Sequence, residues 1–177
     1  MAEATTDFST LDSHLCAVAT ELFEGVGYAP CFLRPAMLPR TVGEGVSAVI
    51  GFTGRGARGS ISLLGAPQVA VVLRGEADRA SPTDVLGEFC NMLMGRFKSR
   101  LLRRGVELFG TLPAVTTGEH VKLEATSSAP SSWHEIRIPS GTLYVRLDAI
   151  LDESFAIAPV ESANDGTGVL EGECLLF

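Results

Sequence analysis

The sequence predicts a single domain of the α/β class, of the α+β type, in which an antiparallel or mixed sheet carries two main helices. Three observations support this fold class. Apolar residues recur at helical spacing in two long segments, which indicates two amphipathic helices. Several other segments are rich in aliphatic and β-branched residues and alternate with polar ones, which is typical of strands. The 177 residues are 46% hydrophobic and 20% charged, a composition typical of a globular chain with a substantial core.

The first helix is predicted from an apolar repeat near the N-terminus. The repeating residues are Leu11, Leu15, Val18 and Leu22. We expect a helix from about residue 9 to residue 24, after a frayed start at residues 1–6. Gly25 and Gly27 are expected to end it, because glycine readily adopts the left-handed backbone that follows many helices.

A hairpin is predicted in the next part of the chain. Residues 46–52 and 60–65 read as two strands that flank a glycine-rich turn. The turn spells GxGxxG from Gly54 to Gly59, but the strand-like SISLL follows it, whereas a dinucleotide-binding turn leads into a helix. We therefore expect a hairpin turn. Residues 31–38 are interrupted by proline and indicate a short strand or an extended segment. Residues 66–75 are compatible with a helix or a strand.

The second main helix and a group of strands are predicted for the rest of the chain. The helix is expected to begin at the capping sequence Ser-Pro-Thr-Asp (81–84) and to stop at Gly105. A loop or irregular strand follows at residues 108–118. Three antiparallel strands are expected at residues 120–126, 133–139 and 142–151, the first two joined through SSAPSS. The closing segment, residues 169–177, is compatible with an extra strand.

Charge and composition exclude several classes of function. The formal net charge of −7 makes the chain a poor ligand for nucleic acid or for an anionic membrane. No apolar run reaches the length of a membrane span, and the N-terminus is polar and acidic, so we expect a cytoplasmic protein. Four cysteines are scattered, and three histidines stand far apart. These patterns predict buried free thiols, no metal site and no cofactor bound by this chain.

The second helix carries a polar stripe that its core-facing residues do not explain. Asp84, Glu88, Asn91 and Gly95 are spaced by four, three and four residues, so they share one face of a helix. Two interpretations fit this spacing: a solvent-exposed helix face with no function, or a surface that binds a partner. Glycine inside a helix costs roughly 1 kcal/mol relative to alanine, which favours a place where another protein comes close.

Basic residues follow this stripe in the second half of the same helix. They are Arg96, Lys98, Arg100, Arg103 and Arg104. Positive charge complements the negative C-terminal end of a helix, so a solvated face explains them. The alternative is a basic surface that binds an acidic partner.

The stripe and its flanks resemble the CheC/CheX family of chemotaxis phosphatases. The family signature is an acid or serine, then Glu-x-x-Asn, then glycine, and the four stripe residues match it. The flanking matches are Lys98, Leu102, Pro113 and Gly118, and the similarity extends over roughly residues 8–150. CheC-type members carry two such motifs. The first helix here has no Glu-x-x-Asn, so the chain looks like CheX, whose members are homodimers built through their β-structure.

The resemblance implies a protein-aspartyl-phosphate phosphatase that acts on a CheY-like response regulator in chemotaxis or related two-component signalling. It implies that Asn91 orients the hydrolytic water and that Glu88 pairs with a lysine of the regulator. Asp84, Gly95 and Lys98 would border the contact, and the regulator would supply Mg²⁺. The phosphatase domain is expected to span residues 1–152, with a C-terminal extension of unknown role at residues 153–177.

A second interpretation remains open, in which the same fold is a non-catalytic adaptor or sensor that binds a response regulator. Relatives often have a small Asn-Ala pair directly after the signature glycine, where this chain has Arg96-Phe97. In this interpretation Phe97 or the C-terminal extension blocks the productive pose. A small-ligand sensor is a third interpretation, and no sequence feature supports it.

Overall fold

A computed structural model describes residues 2–27, 34–36, 42–73, 80–121, 123, 130–138 and 140–158. The helices are α1 (Ala2–Gly25), α2 (Pro67–Leu73) and α3 (Pro82–Leu102). The strands are β1 (Arg34–Pro35), β2 (Val42–Gly54), β3 (Ala57–Gly65), β4 (Leu108–Gly110), β5 (Ala114–Val121), β6 (Ser131–Ile138) and β7 (Gly141–Leu151).

One sheet of seven strands organises the described chain. Its strand order is β1-β6-β7-β3-β2-β4, and β5 also pairs with β2. Every pair of these strands is antiparallel. The predicted α+β fold with two main helices on a largely antiparallel sheet is therefore confirmed.

The strand predicted at residues 120–126 lies largely outside the described residues. Its first two residues end β5, which begins at Ala114 and pairs with β2. Strand β5 does not lie beside β6, whose neighbours are β7 and the short β1. Strands β4 and β5 occupy most of residues 108–118, the segment predicted as a loop or irregular strand.

The N-terminal elements follow the sequence with small corrections. Helix α1 begins at Ala2, so the frayed start expected at residues 1–6 is wrong for the described part of that segment. The hairpin is confirmed and is longer than predicted, with Gly54 paired to Ala57 at its tip. Gly56 has a φ of 73°, a conformation that favours glycine, so the GxGxxG sequence serves a tight turn. The ambiguous segment 66–75 forms helix α2 at Pro67–Leu73.

Helix α3 packs on the sheet through its apolar face. The ring of Phe89 stacks on Phe23 of α1 with centroids 5.7 Å apart. The ring of Phe97 meets Phe52 of β2 edge to face at 6.3 Å. The buried residues of α3 are Val85, Leu86, Gly87, Phe89, Cys90, Leu93, Met94, Phe97 and Leu101. Because both ends of the helix are anchored in the core, its outer face is presented rigidly.

The residues after the predicted domain boundary begin by packing against the domain. Phe155 is buried in the core. The backbone N–H of Ala158 donates to the carbonyl of Arg104 at 3.1 Å, next to the C-terminal end of α3. The boundary after Asp152 stays a prediction. The possible strand at residues 169–177 lies outside the described residues, as do Cys31 and Cys174.

Candidate functional site

The predicted site residues lie together on the outer face of α3. Asp84, Glu88, Asn91 and Gly95 are all exposed, and Lys98 is partly exposed one turn further along. The neighbouring stripe of the helix is buried against the sheet and α1. The structure therefore brings all five residues onto one exposed ridge along α3, as the helical spacing predicted.

The side chain of Asn91 projects from this ridge into solvent, although its neighbours in the sequence, Cys90 and Met92, pack against the core. Cys90 is fully buried, and its thiol lies 3.8 Å from the backbone carbonyl of Ala48. Burial raises the pKa of Cys90 to about 12, so its thiol stays protonated at neutral pH. The group next to Asn91 is thus an inert anchor, not a nucleophile.

A capping box fixes the start of α3. The backbone N–H of Asp84 donates to Oγ of Ser81 at 3.2 Å, and the backbone N–H of Ser81 donates to Oδ2 of Asp84 at 3.2 Å. Oγ of Ser81 also donates to the same carboxylate oxygen at 2.7 Å. These hydrogen bonds hold the pKa of Asp84 below its ordinary value. The carboxylate of Asp84 is therefore engaged within this chain, and its contact with a partner stays a prediction.

Replacing Ser81 with alanine is expected to lower the free energy of unfolding by about 1 kcal/mol, the usual cost of losing an N-cap. Chemical denaturation at neutral pH measures this loss. The contribution of Asp84 to stability depends on pH. Because folding lowers the pKa of Asp84, its ionised carboxylate stabilises the folded protein at pH values above the ordinary pKa of 3.8. This stabilisation is lost as the pH falls through the lowered pKa. A Ser81→Ala protein as stable as the wild type would show that the cap contributes nothing.

Gly95 has open space around its α-carbon on the side where a side chain would lie. A β-carbon built at this position meets no atom of the chain within 4 Å. Packing within the chain therefore does not require glycine here. Gly95 also borders a shallow groove between α1 and α3, which is lined by Glu21 and Met92 among others. A bare backbone beside an open groove suits the close approach of another molecule.

Phe97 is not positioned to obstruct this face. Its side chain is fully buried, and it packs on Phe52 in the core. The expectation that its bulk alters docking is wrong, because position 97 belongs to the inner stripe of the helix. Arg96, the other departure from the usual Asn-Ala pair, is exposed beside the groove.

Two of the basic residues after the stripe are bound within the chain. Nη1 of Arg100 lies 2.7 Å from Oε1 of Glu21, and its Nε lies 3.4 Å from Nδ1 of His14. Nη1 of Arg104 donates to the carbonyl of Ala158 at 3.4 Å. Burial and these two arginines lower the pKa of His14. Part of the basic run thus ties α3 to α1 and to the C-terminal segment, as well as balancing the helix end.

Comparison with known proteins identifies the family. The sequence profile of the family described as "Chemotaxis phosphatase CheX" matches residues 46–137, just over half of the chain. The chain belongs to the CheX family. The matched range runs from β2 to β6 and includes all of α3 with its Glu-x-x-Asn motif. The predicted family is therefore confirmed.

Solved structures of CheX and CheC-like proteins share the fold. The CheX protein from Vibrio vulnificus superposes with a TM-score of 0.67 at 19% identity, over 79% of this chain and 99% of that one. A chemotactic CheC-like protein from Shewanella oneidensis MR-1 gives 0.68 at 17% identity, over 77% and 95%. CheX in a CheX–CheY–BeF3–Mg²⁺ complex from Borrelia burgdorferi gives 0.61 at 16% identity, over 77% and 96%. Comparison with curated proteins gives no match.

One cluster of polar side chains was not predicted from the sequence. Asp12 and Cys16 of α1 meet His134 of β6, although at least 118 residues separate the histidine from them. The available signals were an Asp-x-x-x-Cys spacing on a predicted helix and a Ser-x-His spacing on a predicted strand. Neither indicates a site without knowledge of which strand lies under the helix.

Proposed function

We propose that this CheX-family chain is a phosphatase that hydrolyses the aspartyl phosphate of a CheY-like response regulator. The observation that carries the proposal is the placement of Asn91 and Glu88 next to each other, exposed, on a helix whose opposite face is locked into the core. The ridge carries these two side chains in solvent. It is suited to enter the active site of a partner and to deliver a single functional group there.

The amide of Asn91 is the group that acts on the hydrolytic water. An acyl phosphate is already labile, so what remains is to hold a water molecule in line with the departing carboxylate. An amide both accepts a hydrogen bond from water and donates one to it. A carboxylate at the same place would repel the phosphoryl group. No nucleophile from this chain is required, in keeping with the inert thiol of Cys90.

Glu88 anchors the ridge on the regulator. It lies one helical turn before Asn91 and is equally exposed. Its carboxylate pairs with the active-site lysine of the regulator, and this pair sets the depth to which the helix enters. The regulator supplies Mg²⁺, which neutralises charge on the phosphoryl group. The composition of the Borrelia burgdorferi complex, CheX with CheY, BeF3 and Mg²⁺, supports a CheY-like partner.

A phosphatase and a non-catalytic adaptor would differ in their effect on the lifetime of the regulator's phosphate. The regulator encoded nearby is phosphorylated with radiolabelled phosphate, and its phosphate half-life is measured with and without the full-length chain. A phosphatase shortens the half-life at amounts well below those of the regulator, because each molecule acts repeatedly. An adaptor binds the regulator yet leaves the half-life unchanged or longer, and that result would overturn the proposal.

Replacing Gly95 with leucine is expected to preserve the fold and weaken regulator binding by roughly tenfold or more, equivalent to about 1.4 kcal/mol. Nothing in this chain lies where the new side chain begins, and leucine favours helix over glycine. The loss would come from steric conflict with the partner. Thermal unfolding and titration with the phosphorylated regulator measure the two effects. Unchanged affinity would show that the partner does not approach Gly95.

A further inference from the structure

Three side chains with different donor atoms converge between α1 and β6. Nε2 of His134 lies 2.9 and 3.0 Å from the two carboxylate oxygens of Asp12. The same nitrogen lies 3.3 Å from Sγ of Cys16. One donor atom from each of the three residues fits within a group no more than 4.8 Å across. The imidazole is 7% exposed, so this convergence lies largely out of solvent.

Local structure places these donors with little freedom. Asp12 and Cys16 are one turn apart on α1, so their side chains leave the same face of the helix. Ser132 and His134 are two residues apart on β6, so they share a face of the strand. Oγ of Ser132 donates a hydrogen bond to Oδ1 of Asp12. Such a bond orients a carboxylate in the way that outer-shell partners orient metal ligands.

The arrangement is not that of a nucleophilic triad. In a triad the acid holds one ring nitrogen of the histidine while the other nitrogen faces the nucleophile. Here the carboxylate and the sulfur both approach Nε2, so the ring cannot relay a proton between them. Burial lowers the pKa of His134, but hydrogen bonds to Asp12 and Cys16 outweigh burial and raise it to about 9.

We propose that Asp12, Cys16 and His134 form a binding site for a divalent transition metal of the Zn²⁺ class. Carboxylate oxygen, thiolate sulfur and imidazole nitrogen are all ligands of Zn²⁺, whereas Mg²⁺ and Ca²⁺ favour oxygen ligands alone. Ligands of one tetrahedral Zn²⁺, at bond lengths of about 2.0–2.3 Å, lie roughly 3.3–3.6 Å apart. The carboxylate oxygen and the sulfur therefore each need to move away from Nε2 by less than about 0.5 Å to admit the ion. Three protein ligands leave a fourth position for water or an outside ligand.

The metal would fasten α1 to β6. Residues 12 and 134 lie far apart in the sequence, so a bond through a shared ion closes a long loop of the unfolded chain. Helix α1 in turn contacts α3 through the Phe23–Phe89 stack and the Arg100–Glu21 ion pair. The ion would thus stabilise the scaffold that presents the outer face of α3, without contacting that face.

The test uses the full-length chain and does not depend on phosphatase activity. The protein is loaded with Co²⁺ and with Zn²⁺, freed of excess metal, and analysed by absorption spectroscopy, metal content and thermal unfolding. We expect stoichiometric zinc, a higher melting temperature with zinc, and a thiolate-to-cobalt charge-transfer absorption in the near ultraviolet. Cys16→Ser should lose that absorption. Asp12→Asn keeps every thiol and should bind zinc at least about tenfold more weakly.

His120→Asn is the matched control, because it removes an exposed histidine on β5 whose positive φ of 56° asparagine also tolerates. This variant should bind zinc like the wild type. The proposal is overturned if the wild type shows no thiolate-to-cobalt absorption, or if Asp12→Asn binds zinc with unchanged affinity. A folded Cys16→Ser protein that keeps the absorption would also overturn it. If that variant does not fold, the wild-type spectrum and the Asp12→Asn affinity decide.

Discussion

Replacing Asn91 with alanine is expected to slow regulator dephosphorylation on the order of 10²-fold or more, while regulator binding is retained. The side chain is exposed, so its loss leaves the core and the helix intact. Alanine is also a better helix former than asparagine, which protects the fold. What disappears is the amide that holds the water in line with the leaving group. Single-turnover decay of the phosphorylated regulator, at saturating amounts of each protein, measures the effect.

Gln68→Ala is the matched control for this experiment. It removes another exposed amide from a helix, but on α2 and away from the ridge. We expect wild-type rates from that variant. If Asn91→Ala kept the wild-type rate at saturation, Asn91 would have no part in the chemistry. If it lost binding and rate together, its role would be docking and not water positioning.

Replacing Glu88 with alanine is expected to weaken both binding and rate. The carboxylate is exposed in the free protein, so its removal has little effect on stability. In the complex it would be desolvated against the regulator's lysine, and loss of one partner leaves the other charge unpaired. We expect the Kd for the phosphorylated regulator to rise roughly tenfold or more, equivalent to about 1.4 kcal/mol. Titration of the regulator and steady-state hydrolysis measure the two effects.

Glu107→Ala provides the control for Glu88, since it removes an exposed carboxylate that lies beyond the end of α3. It should change neither affinity nor rate. A Glu88→Ala protein that binds normally but hydrolyses slowly would place Glu88 in the chemical step. Normal binding together with a normal rate would remove it from the site.

The site residues were predictable because a single helix carries them all. Helical spacing alone puts Glu88 and Asn91 on one face and Phe89 on another, and the structure confirms this placement. The same periodicity predicts Phe97, eight residues after Phe89, for the buried stripe, and the structure confirms that it is buried. This placement conflicts with the expectation that Phe97 obstructs docking.

What the sequence could not provide was contact between distant elements. Most of β5 lies in a segment predicted as a loop or irregular strand, and nothing in its residues specifies its neighbour in the sheet, which is β2. For the same reason the meeting of Asp12 with His134 was not foreseen. Both depend on strand order, which local periodicity does not encode. The capping box at Ser81, by contrast, is local and was predicted as a helix start.

The most direct test of the account is the exchange of Asn91 for aspartate, which preserves the shape of the side chain and replaces its amide with a charge. The measurement is the single-turnover decay rate of the phosphorylated regulator at saturating amounts of Asn91→Asp and of the wild type. If a neutral amide positions the water, Asn91→Asp is at least as slow as Asn91→Ala, on the order of 10²-fold below the wild type. A wild-type rate from Asn91→Asp would contradict the account.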